Sequence, residues 1–388
     1  MCPPVTPATP ADCVLDGHRA RWLPDGDATF AAMLELVASA RKSVCLESYI
    51  VRPGEPADSL LRELVRACQR GVQVRMLFDA FGSEGLPADF FAPLKQAGGA
   101  VRVFSPARRL RLAFRDHRKL LVCDTRTAIV GGNNIGPEYT GDGVTRGWRD
   151  LALRIEGPIG AALEATFEAM YALAPMSATG ILEFRAAQRE RPQTAGVVRL
   201  LTSGPGWPAG QLHRALRFDL ASARAVRCMA GYFLPPQRMR RALKRVVSRG
   251  GVVQLLLAGR SDVPVARYAA EYLYGTMLDG GAQIYEYQPQ ILHAKLFIMD
   301  DTVYVGSCNL DRRSLNINYE LLLRLEWPEL AALGRELFGQ SLAHSRAVVA
   351  AEWNRNRRWW ERLRSQFAYF LFTRVDPLLA RRPLRPLR

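Results

Sequence analysis

The sequence contains the motif HRKLLVCD at residues 117–124 and a second copy of it, HAKLFIMD, at residues 293–300. Each copy is followed by a glycine-rich turn, GGNN at residues 131–134 and GSCN at residues 306–309. The shared pattern is H-x-K-x4-D and then G-[GS]-x-N. The chain has only five histidines and five lysines, so two chance matches to this pattern are not expected. We infer that the chain contains a duplicated unit.

Shorter matches in the same order extend the repeat over both halves of the chain. The matching stretches are VASAR (37–41) with LASAR (220–224), CLESY (45–49) with CMAGY (228–232), RGVQVRMLFD (70–79) with RGGVVQLLLA (249–258), and DLALRIE (150–156) with ELLLRLE (320–326). Each copy alternates amphipathic helices with apolar, β-branched strands. This pattern predicts two α/β domains, at 15–175 and 196–345, joined by a polar seam near 175–195 and followed by a basic aromatic tail at 346–388.

Both motifs lie in alternating apolar runs, which predicts that they are strands. Residues i and i+2 of a strand project to the same face, so His117 lies beside Lys119, and His293 beside Lys295. A neighbouring ammonium lowers the pKa of an imidazole and keeps it neutral, as a nucleophile requires. The motifs therefore predict a site for a phosphoryl group.

Other residues of the repeat complete this candidate site. The glycine-rich turns let backbone amides approach an anion, and Asn134 and Asn309 supply further donors. Asp150 and Glu320 occupy equivalent positions of the repeat, and we expect each to orient one imidazole through its second ring nitrogen. No carboxylate cluster suited to a hard cation accompanies the motifs, so we expect neither a metal ion nor another cofactor.

The motif aspartates Asp124 and Asp300 have two interpretations. As members of the motif they belong to the candidate catalytic set. Each sits five residues after its lysine, on the opposite face of a regular strand, where a strand-end turn residue is an equal alternative.

The net charge of +16 and the pI of about 10.0 indicate an anionic partner, which nucleic acid, a membrane surface or a phosphorylated substrate would satisfy. Much of the excess lies in residues 107–119, a longer connection than its counterpart in copy two, and in residues 351–388, where arginines alternate with Trp and Phe. That tail composition is typical of a helix in a membrane interface, although packing on the protein body remains open. No apolar run is long enough for a transmembrane helix.

The duplicated motif resembles the HKD motif of the phospholipase D superfamily, and the resemblance covers most of residues 15–345. GSCNLDRRSLNINYE (306–320), RIEGP (154–158) and TSGP (202–205) are similar to bacterial cardiolipin synthases, and the HRK triplet and the short tail resemble the cardiolipin synthase B-like branch. The resemblance implies two α/β/α sandwiches that share one active site at a pseudo-two-fold interface.

The resemblance also implies the roles of the site residues. His117 becomes phosphatidylated and His293 acts as general acid and then base, although the reverse assignment stays open. Residues implied to bind the phosphate are Lys119, Lys295, Asn134, Asn309 and Ser307.

We therefore expect a phosphatidyl transferase that makes cardiolipin from phosphatidylglycerol, peripheral to the cell membrane on its cytoplasmic side. A phospholipase D-type hydrolase, a nuclease of the same superfamily and a non-enzymatic lipid-binding scaffold are the alternatives. We do not expect nucleic acid as a partner, because the basic segments also carry aromatic and apolar residues.

Overall fold

A computed structural model of the chain describes residues 11–105, 114–174, 194–204 and 211–375. The first half forms an eight-stranded sheet with the order β1-β2-β8-β7-β6-β3-β4-β5. Its strands are Cys13–Leu15 (β1), His18–Leu23 (β2), Ser43–Ser48 (β3), Gln73–Asp79 (β4), Ala100–Phe104 (β5), Leu120–Cys123 (β6), Thr127–Gly131 (β7) and Ala152–Glu156 (β8).

The second half forms a nine-stranded sheet with the order β19-β14-β13-β11-β15-β16-β18-β10-β9, and β12 pairs with β17 in a separate ribbon. These strands are Thr194–Ala195 (β9), Val198–Ser203 (β10), Ala225–Ala230 (β11), Phe233–Leu234 (β12), Val252–Ala258 (β13), Gln283–Tyr287 (β14), Lys295–Met299 (β15), Thr302–Gly306 (β16), Leu310–Asp311 (β17), Glu320–Glu326 (β18) and Ser345–Val348 (β19).

The two sheets share one topology. In each, three parallel strands (β3-β4-β5 and β11-β13-β14) lie beside an antiparallel set that begins with the motif strand, β6 or β15. Within the described ranges the second sheet has one further strand, the edge strand β19, which pairs with β14. This confirms the predicted duplicated α/β fold and places both motif strands inside their sheets.

The helices cover both sheets. They are Gly26–Ser39 (α1), Glu55–Gln69 (α2), Ala92–Gln96 (α3), Ile159–Leu173 (α4), Gln211–Ser222 (α5), Gln237–Ser248 (α6), Pro264–Leu278 (α7), Arg312–Asn316 (α8), Pro328–Ala343 (α9), Ala350–Asn356 (α10) and Trp359–Phe370 (α11). α1 begins after Asp25, whose carboxylate accepts a 2.8 Å hydrogen bond from the Ala28 amide and so caps the helix. A π-helical turn, Leu371–Val375, follows α11.

A single apolar core joins the two sheets. It contains side chains of both motif strands together with α4 and α9, for example Leu120, Leu163, Leu296 and Phe338, all of them buried. α1 and α2 cover the outer face of the first sheet, and α5, α6 and α7 cover the outer face of the second. The predicted domain limits stay a prediction, because the seam near 175–195 lies almost entirely outside the described residues.

Candidate active site

His117 and His293 immediately precede the motif strands and line one cavity of about 400 Å³ between the two copies. The backbone amide of His117 donates to the carbonyl of Tyr319 at 3.0 Å, and that of His293 donates to the carbonyl of Arg149 at 2.8 Å. Each motif therefore pairs with a segment of the other copy. The exchange is reciprocal, as a pseudo-two-fold arrangement requires.

This exchange brings a carboxylate to each histidine. Tyr319 precedes Glu320, whose carboxylate lies 3.0 Å from Nδ1 of His117, and Arg149 precedes Asp150, whose carboxylate lies 2.6 Å from Nδ1 of His293. A carboxyl partner at Nδ1 fixes the ring and directs Nε2 toward the cavity. The structure thus brings together the carboxylates and histidines that the sequence pattern selects, and each carboxylate comes from the copy opposite to its histidine.

The two lysines lie next to the histidines but outside the set of side chains that line the cavity. Nζ of Lys119 donates to the His117 carbonyl at 2.6 Å, and Nζ of Lys295 donates to the His293 carbonyl. Burial lowers the pKa of Lys119 to about 7 and also lowers the pKa of Lys295. Burial, assisted by the Lys119 and Lys295 charges, holds the pKa of His117 well below its ordinary value.

The two carboxyl groups differ in charge. Burial raises the pKa of Glu320 to about 8, so this group largely retains its proton at neutral pH. Burial also acts on Asp150, but the neighbouring His293 and Lys295 outweigh it and lower its pKa. Burial and the Lys295 charge lower the pKa of His293 as well, but the ionised Asp150 at its Nδ1 opposes this shift.

Aromatic rings surround both imidazoles. The ring of Tyr49 lies 4.9 Å from that of His117, and the rings of Tyr139 and Trp148 lie 5.4 and 5.5 Å from that of His293. None of these three residues was predicted from the sequence. Tyr49 had a detectable signal, because it ends the repeated stretch CLESY, whose counterpart in copy two ends in another cavity-lining tyrosine, Tyr232.

Both motif asparagines line the cavity. Oδ1 of Asn134 accepts a 3.1 Å hydrogen bond from the backbone amide of Ile50. The side-chain amide nitrogen of Asn134 therefore points away from Ile50. Oδ1 of Asn309 is buried without a hydrogen-bond partner among the described residues. Buried polar atoms of this kind are stabilised by a bound polar ligand.

Ser307 has a different role from the one expected. Its hydroxyl donates to Glu320 at 2.5 Å and accepts from the Leu321 amide at 3.0 Å, and it is not among the cavity-lining residues. We therefore correct its assignment from phosphate binding to holding Glu320. In copy one the equivalent residue is Gly132, where a Cβ atom would lie 2.3 Å from Oδ1 of Asp150.

Asp124 and Asp300 also lie outside the site. Both adopt left-handed backbone conformations at the far ends of β6 and β15 from the histidines. The Asp124 carboxylate accepts from the backbone amides of residues 41, 42 and 43, and the Asp300 carboxylate accepts from those of residues 224 and 225. The catalytic assignment is corrected accordingly: these aspartates fix the turn that precedes β3 or β11, which is the strand-end alternative.

The remaining cavity wall is mixed in charge. It includes three arginines, two aspartates and two residues of the π-helical turn: Arg115, Arg312, Arg313, Asp262, Asp311, Phe372 and Thr373. Nη1 of Arg312 donates to the Thr373 carbonyl at 3.2 Å. The chain beyond α11 therefore forms part of the wall, which the sequence did not indicate. The long basic connection at residues 107–119 lies mostly outside the described residues, but Arg115, near its end, lines the cavity.

Comparisons with known proteins bear on both copies. The family profile described as "Cardiolipin synthase, PLD-like domain" matches residues 33–171 and 217–342. The chain belongs to this family. Its match to both copies confirms the resemblance to phospholipase D-like cardiolipin synthases.

The curated relatives of this cardiolipin synthase family match the chain nearly end to end. Cardiolipin synthase B of Salmonella typhi is 30% identical over 377 residues, which cover 94% of this chain and 90% of the relative. Cardiolipin synthase A of Pseudomonas fluorescens is 30% identical over 353 residues, covering 89% and 72%. Phosphatidylserine synthase of Haemophilus influenzae superposes with a TM-score of 0.71 over 93% of this chain and 94% of its own, at 14% identity, which supports the fold alone.

Among the described residues of this family member, none of the helices combines the length and the apolar character needed to cross a bilayer.

Proposed function

We propose that the protein is a phosphatidyl transferase that makes cardiolipin from two molecules of phosphatidylglycerol. The observation that carries this proposal is the pair of histidines at one cavity, each held at Nδ1 by a carboxyl group of the opposite copy. The family to which the chain belongs, and the names of its relatives, supply the lipid chemistry.

In the first step, Nε2 of His117 attacks the phosphorus of one phosphatidylglycerol. A P–N bond forms, the P–O bond to the glycerol headgroup breaks, and protonated His293 donates its proton to the departing glycerol oxygen. The low pKa of His117 supplies the neutral nucleophile, and the ionised Asp150 at Nδ1 of His293 offsets part of the lowering of the His293 pKa by burial and Lys295. This asymmetry favours His117 over His293 as the nucleophile.

In the second step, the neutral His293 removes a proton from a headgroup hydroxyl of the second phosphatidylglycerol. The resulting oxygen attacks phosphorus, the P–N bond breaks, and His117 is restored. Two phosphatidylglycerols thus give one cardiolipin and one glycerol. Asn134 and Asn309 line the cavity and supply the polar groups around the phosphoryl oxygens, whereas Lys119 and Lys295 act from outside the cavity lining through their charge.

The substrate implies a site of action at an anionic membrane. A peripheral protein on the cytoplasmic face would meet both phosphatidylglycerols there, and the net charge of +16 favours such a surface. We propose no role in nucleic-acid binding.

The test is a product assay with phosphatidylglycerol vesicles in the presence of EDTA, followed by mass spectrometry of the lipids. Wild type is expected to form cardiolipin and glycerol, and His117→Ala is expected to form neither. His344→Ala, an exposed histidine outside the cavity, is the matched control and should retain full turnover. Phosphatidic acid as the sole product would indicate a hydrolase, and cleavage of labelled DNA without lipid turnover would indicate a nuclease.

A further inference from the structure

Helix α11 has an apolar face that is exposed on the protein surface. Trp359, Leu363, Phe367 and Phe370 follow one another at intervals of four or three residues, and they are 73%, 55%, 63% and 53% exposed. This spacing puts all four on one face of an α-helix. Single exposed apolar residues are common in soluble proteins, but a continuous stripe of this kind marks an interaction surface.

The opposite face of α11 fixes the orientation of the helix. Ser365 and Ala368 are buried, and the ring of Tyr369 stacks on that of Tyr272 of α7, with centroids 4.5 Å apart. The guanidinium of Arg364 lies 3.7 Å from the centroid of the Tyr268 ring. The helix is therefore seated on the protein body, and its apolar stripe points away from it. The packing interpretation of the tail therefore holds for the inner face of α11, and the membrane-interface interpretation stays a prediction.

The chain that carries the stripe also contributes to the cavity wall. Directly after Phe370 the chain enters the π-helical turn, where Phe372 and Thr373 line the cavity. Two further cavity-lining residues, Phe81 and Val263, are 50% and 38% exposed. The cavity thus opens beside an apolar surface, and the tail provides part of both.

Cations lie next to the apolar stripe. Arg355, Arg358 and Arg374, which precede or follow α11, are exposed. An amphipathic helix with aromatic residues on one face and arginines beside it suits the boundary between anionic headgroups and acyl chains. A protein partner with an apolar groove would not account for the positive charge or for the nearby lipid cavity.

We propose that the docking surface, defined as Trp359, Leu363, Phe367 and Phe370 with the cavity rim residues Phe81 and Val263, binds an anionic phospholipid bilayer. In this orientation the cavity mouth faces the membrane, and a lipid headgroup reaches His117 and His293 without its acyl chains crossing water. This inference rests on the proposed function, because it takes a bilayer lipid as the substrate.

The first test measures binding. The double variant Leu363→Ser/Phe367→Ser shortens the stripe outside the cavity, and Phe218→Ser removes an equally exposed phenylalanine from α5, 77% exposed, as the matched control. In flotation with phosphatidylglycerol-containing vesicles, we expect the double variant to bind at least about tenfold more weakly than wild type and the control to bind as wild type does. Equal binding by the double variant would overturn the proposal.

The second test separates docking from chemistry. Short-chain phosphatidylglycerol below its micellar concentration needs no docking, so the double variant should turn it over at the wild-type rate while losing about tenfold in turnover of vesicles. Equal losses on both substrates would contradict a docking role. If wild type turns over neither substrate but binds vesicles through this surface, the proposed function fails and the docking surface stands.

Sedimentation distinguishes a second copy of the protein from a bilayer as the occupant of the docking surface. If wild type sediments as a dimer and Leu363→Ser/Phe367→Ser sediments as a monomer, a second copy covers the stripe and the bilayer proposal is overturned. Tryptophan emission that shifts to the blue only when anionic vesicles are added would support the bilayer proposal.

Discussion

Asp150 and Glu320 hold equivalent positions but meet their histidines in different protonation states. Asp150 is ionised and lies 2.6 Å from Nδ1 of His293, whereas burial raises the pKa of Glu320 to about 8. The side chain of Glu320 is one methylene group longer than that of Asp150. Of the two carboxyl groups, only that of Glu320 accepts a hydrogen bond from the Ser307 hydroxyl. This asymmetry gives the two histidines distinct roles within a symmetric frame.

The asymmetry predicts unequal effects of amide substitution. Asp150→Asn removes the charge that supports the His293 imidazolium, and we expect kcat to fall by about 10³-fold. Glu320→Gln replaces a group that is mostly protonated at neutral pH, and we expect a loss of only about tenfold. Steady-state kinetics on phosphatidylglycerol vesicles at pH 7 will measure both. Equal losses would contradict the assignment of His293 as acid and base.

Lys119 is predicted to lower the stability of the folded protein. Burial lowers its pKa to about 7, while an unfolded lysine has a pKa of about 10.4. Between these values the unfolded chain binds more protons, so the free energy of unfolding rises with pH across this window. We expect Lys119→Met to be more stable than wild type at pH 7, by on the order of 1–3 kcal/mol, and to lose this advantage toward pH 10.

Urea unfolding at pH 7 and pH 9.5 will measure this difference. Lys95→Met, at an exposed position of α3, is the control and should leave the pH dependence of wild type unchanged. A Lys119→Met protein that is less stable than wild type at both pH values would contradict the prediction.

Strands β6 and β15 each have a functional residue at one end and a structural residue at the other. The histidine that precedes each strand lines the cavity. The aspartate that follows each strand accepts backbone hydrogen bonds that fix the start of the neighbouring strand. The strand between them separates the histidine from the aspartate, so one motif contains both kinds of residue.

We predict that Asp124→Ala reduces stability and leaves catalysis unchanged. Its carboxylate accepts hydrogen bonds from three successive backbone amides, at residues 41–43, and their loss should lower the free energy of unfolding by about 1–3 kcal/mol. Urea unfolding will measure the change, and kcat per folded protein should stay within twofold of wild type. A large loss of kcat with normal stability would restore the catalytic interpretation.

The repeat and the hydrophobic periodicity were enough to predict both α/β copies and the motif strands, whereas the roles of the histidines, lysines and asparagines at the site stay predictions. The strand-end position of Asp124 and Asp300 was one of two interpretations, whereas the contact of Ser307 with Glu320 was not predicted, because a motif records which residues recur and not what each side chain contacts. Tyr139, Trp148 and Phe372 reach the site only through tertiary packing. The cross-copy pairing of Glu320 with His117 likewise depends on how the two sheets meet.

At the scale of the whole molecule, the two copies share both a core and a site. Trp22 of β2 is buried and donates from Nε1 to the carbonyl of Leu330 of α9 at 3.0 Å, so the first sheet is bonded to a helix of the second copy. Because the core is continuous, we expect urea to unfold both copies in one transition that coincides with the loss of lipid turnover.

Removal of the Trp22 side chain should destabilise both copies together. We expect Trp22→Ala to lower the free energy of unfolding by about 3–5 kcal/mol and to preserve a single transition. Tryptophan fluorescence and activity, followed against urea in the same samples, will test it. Two separate transitions, with activity lost in only one, would contradict a shared core.

Transfer of a phosphatidyl group through His117, with His293 as acid and base, predicts a distinct result in a burst measurement. Phosphatidyl-p-nitrophenol has a leaving group that needs no protonation, so the first step should survive in His293→Ala while the second is blocked. We predict a rapid release of one p-nitrophenolate per His293→Ala molecule and none from His117→Ala. A stoichiometric burst from His117→Ala, with none from His293→Ala, would contradict the account.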